Sequence, residues 1–240
     1  DRPFFLYVAY NAVHSPLQGA DKYMKKFSDI DNIHRRIFAA MLSNLYDSVW
    51  KILDAVADNG LEEDTLIVFL SDNGGPTREL TSSNLPLKGE KGMMYEGGIR
   101  IPFLMQWKGK IPPHTTYSHP VMSTDLMATF TTAAGAPLPK TKLDSVDLIP
   151  YISQQDETAP HEFLFWRVGQ KRAIRVGDWK ALLEPGRFGS PDWQLYNLHD
   201  DLGEKNDLAK TKHNVLESLQ QQWTSVNAEM IDQIFDPRKK

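Results

Sequence analysis

The chain has 240 residues, is 41% hydrophobic and 24% charged, and carries a net charge of −4. This is ordinary globular composition, with length enough for one large domain or a large domain plus a small one. No block of cationic residues marks a nucleic-acid footprint, no apolar run approaches the roughly 20 residues of a membrane span, and the lack of cysteine excludes disulfides, thiolate metal sites and a cysteine nucleophile within these residues.

"DRPFFLYVAY" enters an apolar run by position 4, with no charged n-region, h-region or cleavage site before it. Residues 3–10 predict a buried strand, aromatic and β-branched and continuous rather than alternating. Asn11 and Pro16 mark the loop after it. Phe38, Met41, Leu42, Leu45, Val49, Ile52, Leu53 and Val56 recur at i, i+3, i+4, i+7 and predict a long helix stopped by Asn59-Gly60. Residues 65–70, "TLIVFL", predict a second continuous strand. Strand, helix, strand reads as a βαβ unit, with parallel pairing and a right-handed crossover.

Residues 74–98 form a long glycine-rich connection of the kind that is often functional. "IRIPFLMQW" predicts a strand. Residues 123–135 predict a helix capped by Ser123 or Thr124 and stopped by Gly135. A proline-punctuated linker follows to position 150. Beyond it, "EFLFWRV", "RAIRVGDWKALLE" and "WQLYNLHD" are short strand-like runs between turn residues and predict an antiparallel sheet. A final amphipathic helix, about 212–234, carries Val215, Leu216, Leu219, Trp223, Val226 and Met230 and is expected to pack on that sheet. There are no internal repeats and no low-complexity segment. The predicted fold class is α/β: part of a mixed, mainly parallel sheet flanked by helices over residues 1–150, then a small α+β subdomain over 151–240 with an antiparallel sheet and one long helix.

In open α/β sheets ligands bind beyond the carboxyl ends of the strands. The first predicted strand leads there to His14, the second to Asp72 and Asn73. A carboxylate beside an amide carbonyl offers hard oxygen ligands, suited to Ca²⁺ or Mg²⁺ rather than zinc, and Gly74 and Gly75 allow a sharp turn behind them. Taken singly, each feature has a plainer reading. S-D-N-G also describes a turn after a strand, a loop histidine before proline is often an ordinary surface residue, and Lys88 and Lys91 are ordinarily solvated charges. Together on one sheet edge they suit an anionic substrate: a divalent cation to orient an oxyanion, a lysine to add charge, and a histidine to protonate a leaving oxygen.

"PFFLYVAYNAVHSP", "LIVFLSDNGG" and "KGEKGMMYEGGIRIPF", followed by "STDLMATF", "LDSVDLIP" and "DWQLYNLHDDLGEKNDLA", resemble in this order the second half of a sulfatase of the alkaline-phosphatase superfamily. The resemblance covers nearly the whole chain, which is similar to bacterial relatives of arylsulfatase A and the N-acetylgalactosamine-6-sulfatases. It implies that residues 1–150 are the C-terminal part of the α/β catalytic domain and 151–240 its small subdomain. It implies that Asp72 and Asn73 are two of four side-chain ligands of a Ca²⁺ ion, with Mg²⁺ ranked behind. It implies that His14 contacts the sulfate and assists the leaving group, and that Lys91, ahead of Lys88, binds the sulfate and bridging oxygen. Glu96 and Arg100 match positions read as a buried pair holding the loop.

The resemblance also implies a formylglycine nucleophile made from cysteine or serine in a C/S-x-P-x-R motif. No such motif is present: "SSNLP" and "SQQDETAP" do not fit it. The family's Asp-Asp metal pair, its nucleophile-side arginine and a lysine-histidine pair belong upstream of the strand bearing His14. The expectation is therefore a C-terminal portion of a longer enzyme, with half a site, inactive alone and weak for calcium, because two ligands fall short of the 6–8 oxygens calcium takes. The resemblance implies that in the complete enzyme the hydrated aldehyde attacks sulfur, the alcohol leaves with a proton from the His14 and Lys91 side, and the sulfated hydrate collapses to release sulfate and restore the aldehyde. The expected partners are a sulfated small molecule or glycan and the N-terminal portion of the same enzyme, and the expected location is periplasmic or secreted. A phosphoester or phosphonate-ester hydrolase on the same scaffold, or a non-catalytic binding module, are the alternatives. "RFGSPDW" at 187–193 could border a pocket, but reads more simply as a hairpin loop with Trp193 in the small core.

Overall fold

The computed structural model describes residues 2–78, 81–156 and 158–232. They fall into two units, 1–62 with 75–83, and 63–74 with 84–240. Among the described residues no helix is long and apolar enough to cross a membrane.

In the first unit, α1 (Asp21–Lys26) packs on α2 (Ile33–Asp58). The Asn32 side chain accepts from the Arg35 amide at 3.0 Å and starts α2. Gly60, at φ +66, ends it, and the Gly60 and Leu61 amides close on the Ala57 and Val56 carbonyls. Tyr23 donates to Asp47 at 2.9 Å and Lys26 to Ser43 at 3.0 Å, which ties α1 across one face of α2. Leu42 departs from its expected place on the buried face: it is exposed, as are Tyr46 and Trp50.

Residues 3–10 also differ from expectation. They form no strand and join no sheet, and Phe4, Phe5, Leu6 and Tyr7 are 62–80% exposed. A strand exists only where another strand takes its hydrogen bonds, and no described strand does so. The parallel βαβ pairing is therefore not formed among the described residues. The second predicted strand is β1 (Ile67–Leu70), and it pairs antiparallel with β2 (Phe103–Gln106), Ile67 opposite Gln106 and Leu70 opposite Phe103.

The second unit continues with the short helix α3 (Glu96–Ile99), then α4 (Asp125–Ala133) and α5 (Ile149–Ile152). Gly135, at φ +71, ends α4 as expected, but neither Ser123 nor Thr124 caps it by a side-chain bond. Thr124 stands at the N-cap position, and the α4 amide of Ala128 donates to Ser145 Oγ at 2.9 Å, while buried Asp125 ties the start of the helix to its surroundings, accepting from the Met122 amide at 2.7 Å, the Val146 amide at 3.1 Å and His161 Nε2 at 2.9 Å.

The C-terminal region is an antiparallel meander of β3 (Leu164–Val168), β4 (Lys171–Val176), β5 (Trp179–Glu184) and β6 (Ser190–Asn197). Gly169 and Gly177 open its two-residue turns at φ +57 and +56, the geometry that matches strand twist. The helix α6 (His213–Glu229) covers one face. It ends five residues short of the expected boundary; positions 233 and 234, and the terminal "RKK", lie outside the described residues.

Side chains alternate across this sheet. Ile174, Ala181 and Leu195 meet Leu219 and Trp223 of α6, with Trp193 packed beside them as expected. Trp223 stacks on Phe165 at 5.3 Å and meets Trp193 edge-on at 6.1 Å. One residue out of phase, Ala173, Leu182 and Tyr196 form a second core with Met94 and Tyr95. The glycine-rich segment is thus the cover of the sheet's other face.

Candidate functional site

β1 runs into Ser71-Asp72-Asn73-Gly74. The Ser71 amide extends the ladder by one bond, to the Pro102 carbonyl at 3.2 Å. The Ser71 hydroxyl donates to the Asn73 carbonyl at 2.8 Å, and Asn73 Nδ2 donates to the Gly74 carbonyl at 3.0 Å. The Gly74 amide donates to the Gly98 carbonyl at 3.0 Å, and a Cβ on Gly74 would lie 1.8 Å from the Gly97 carbonyl oxygen. A Cβ on Gly98 would lie 2.2 Å from the Met93 carbonyl oxygen. The "SDNGG" turn, the "YEGG" segment and the turn before it are therefore packed backbone on backbone, at a distance that only glycine permits. This seam joins the loop of Asp72 and Asn73 to the loop of Lys91.

Lys91 is exposed at the second position of a tight turn. The Met93 amide donates to the Glu90 carbonyl at 3.0 Å, and Gly92 holds φ +83 at the third position, as in a type II turn. Lys88 points elsewhere: its ammonium donates to the Tyr196 hydroxyl and the Glu204 carbonyl, both at 3.2 Å, and lies 4.2 Å from the Tyr95 ring centroid. Lys88 is a brace of the loop. Burial pushes the Tyr95 phenol up to about 12, so it stays a donor, to Gln194 at 2.6 Å.

Glu96 is buried, as expected, but Arg100 is not its main partner. Arg100 is half exposed and 3.6 Å away. The counter-charge is Lys180 of β5, fully buried and 2.8 Å from both Glu96 Oε1 and Glu204 Oε1. Glu204 Oε2 accepts from the Glu96 amide at 2.7 Å. Burial pushes the Glu204 carboxyl up, against the pull of Lys180. Four residues further along β5, beyond Leu182, Glu184 accepts from the Met94 amide at 2.7 Å and pairs with Lys171 at 2.6 Å. The sequence did mark these residues: Lys180 and Glu184 share the alternation phase of buried Leu182, an unusual place for charge. It did not mark which face was covered or by what.

His14 belongs to the first unit. It is exposed, in a turn closed by its own amide on the Asn11 carbonyl at 2.8 Å. Its Nδ1 lies 2.8 Å from the Ser15 carbonyl. A carbonyl only accepts, so that contact assigns the proton to Nδ1 and leaves Nε2 as the basic nitrogen of the neutral ring.

The donor set at 72–73 agrees in kind with calcium. Asn73 Nδ2 is tied back to the Gly74 carbonyl, which leaves the amide oxygen as the ligand atom. Asp72 is exposed and makes no hydrogen bond or ion pair with any described residue. These are hard oxygens, but only two side chains. Among the described residues there is no group of three or more His, Asp or Glu able to hold a metal ion. Two side chains would make only part of a calcium shell.

The sulfatase family model matches residues 1–136. The chain belongs to the sulfatase family. The model of the N-sulphoglucosamine sulphohydrolase C-terminal region matches residues 89–229 of this sulfatase chain. The chain is 36% identical to the uncharacterized sulfatase YdeN of Escherichia coli (strain K12), over 69% of its own length and 30% of that protein. It is 34% identical to arylsulfatase A of Homo sapiens, over 75% of its length and 36% of that protein. Its fold superposes on the crystal structure of Ps i-CgsB in complex with k-i-k-neocarrahexaose with a TM-score of 0.84 at 35% identity, covering 93% of this chain and 50% of that one. The chain thus spans about a third of the curated relatives it matches and about half of this solved chain.

Proposed function

We propose that the protein of which these residues form part hydrolyses sulfate esters, and that its substrate is a sulfated carbohydrate. The observation that carries this reading is the glycine seam, which couples an acid-amide pair of hard oxygens to the turn presenting Lys91. Family membership supports the reaction type, and likeness to Ps i-CgsB in complex with k-i-k-neocarrahexaose supports the substrate class.

In this reading Asp72 and Asn73 hold Ca²⁺, with the remaining ligands supplied from outside residues 1–240. Calcium, when bound, neutralises and orients the sulfuryl oxygens. Lys91 adds a point charge at the sulfate and bridging oxygen. His14, charged at Nε2, gives its proton to the departing alkoxide, and the Ser15 carbonyl holds the ring in place. The formylglycine nucleophile is likewise proposed to come from outside these residues, which contain no cysteine and no C/S-x-P-x-R motif. Residues 1–150 then belong to the catalytic domain and 151–240 to the subdomain that backs it. A periplasmic or secreted location is part of the same proposal and rests on kinship alone.

The test is a rate comparison on the full-length protein, using sulfate and phosphate monoesters of the same alcohol, with calcium and with chelator. Faster, calcium-dependent sulfate release is expected. Faster phosphate release would replace the reading with a phosphoesterase on the same scaffold. No turnover of either ester would favour a non-catalytic binding module.

A further inference from the structure

We propose that Lys180 is a positioning residue for Lys91: from β5, beneath the Lys91 turn, it pairs with Glu96 and Glu204 and fixes where that turn presents its cation. The inference rests on the reading of Lys91 as a sulfate-binding group.

The geometry is one of alternate residues. After Lys91, positions 92, 94 and 96 are each fastened to a charged side chain of the sheet or its following loop. The Gly92 carbonyl accepts from Lys171 Nζ at 2.5 Å. The Met94 amide donates to Glu184 Oε2 at 2.7 Å. The Glu96 amide donates to Glu204 Oε2 at 2.7 Å, while its carboxylate takes Lys180 at 2.8 Å. Lys180, Glu184 and Lys171 all project from the loop-facing side of β4 and β5, in phase with Leu182 and Ala173.

Lys180 holds this set together because two buried carboxylates share it. Its loss would leave Glu96 and Glu204 facing each other uncompensated in a site closed to water, where such repulsion is strong. Glu96 stands in a helix of four residues, against glycines already at closest approach. Its displacement has no slack to absorb it, and passes through Gly97 and Gly98 to the Glu90–Met93 turn. Buried ion groups of this kind add little net stability over apolar side chains of similar size. What they specify here is direction.

The test is a double-mutant cycle in the full-length protein. Lys180→Met is expected to lower kcat/KM for a sulfate monoester on the order of 100-fold, the scale of a small misplacement of a binding group. In a Lys91→Ala background it should cost nothing further, because both changes remove the same interaction. An equal loss in both backgrounds, or no loss, overturns the proposal. Amide exchange on the wild-type protein covers the case in which Lys180→Met does not fold. The Met94 and Glu96 amides should exchange as slowly as those of β5; exchange at loop rates overturns the clamp. If the wild type hydrolyses no sulfate ester, the proposed function falls, while amide exchange still decides the clamp.

Discussion

In residues 164–229 every strand has a partner and both sheet faces are covered, by α6 on one side and by Met94 and Tyr95 on the other. In residues 3–58 a set of large apolar residues stands in the open, Phe4 through Tyr7, then Leu42, Tyr46 and Trp50 at a four-residue spacing along α2, although Tyr23, Ala40 and Val56 are buried. Both regions carry strong hydrophobic patterns. A pattern states which face wants cover, and the cover itself has to be supplied by other residues. The C-terminal sheet finds its cover among the described residues, in α6 and in Met94 and Tyr95. The N-terminal region does not, in a chain that spans about a third of its curated relatives.

Substitution can break this comparison, starting with catalysis. His14→Ala and Lys91→Ala in the full-length protein should each slow esters with poor leaving groups on the order of 100-fold or more, and activated aryl sulfates far less, because protonation and charge at the bridging oxygen matter most when the alkoxide is basic. Equal losses on both esters would remove the leaving-group role. Next is Trp223→Ala, which opens a cavity against Phe165 and Trp193 and should cost about 3–5 kcal/mol in urea unfolding. Trp50→Ala sharpens the contrast. In the 240-residue chain Trp50 is 47% exposed, and its loss should stay within about 0.5 kcal/mol. A core-sized loss in the full-length protein would then show that other residues cover it there.

A smaller effect concerns pH. Burial raises the Glu204 carboxyl above its ordinary value of 4.5, so the native state holds that proton longer than the unfolded chain does. Its contribution to stability is full below 4.5 and is lost as pH rises through the native value. Glu204→Gln should flatten the pH dependence of the urea midpoint in that window. An unchanged slope would mean that Lys180 offsets the burial completely.

Much of the fold was legible in the sequence, and the exceptions share a cause. The meander was readable because alternation, Gly169 and Gly177 are local signals, and α2 because its spacing, Asn59 and Gly60 are local too. Residues 3–10 were misread because their apolar run reports burial without naming a partner. Thr124 was placed at the start of α4, but the bonds there were not legible, because Val146 and His161 reach Asp125, and Ser145 reaches the Ala128 amide, from distant positions in the sequence. Glu96 was correctly placed inside, yet its partner Lys180 lies 84 residues away. Asp72, Asn73, His14 and Lys91 were named from motif resemblance. What the fold adds is the seam of Gly74, Gly97 and Gly98 that holds two of their loops together.

The most direct test of the account is calcium content and sulfate-ester turnover of the full-length protein before and after Asp72→Ala. The account predicts that the wild type binds calcium and turns over the ester, and that the variant, still folded, loses both. Wild-type calcium content and activity in the variant would contradict it.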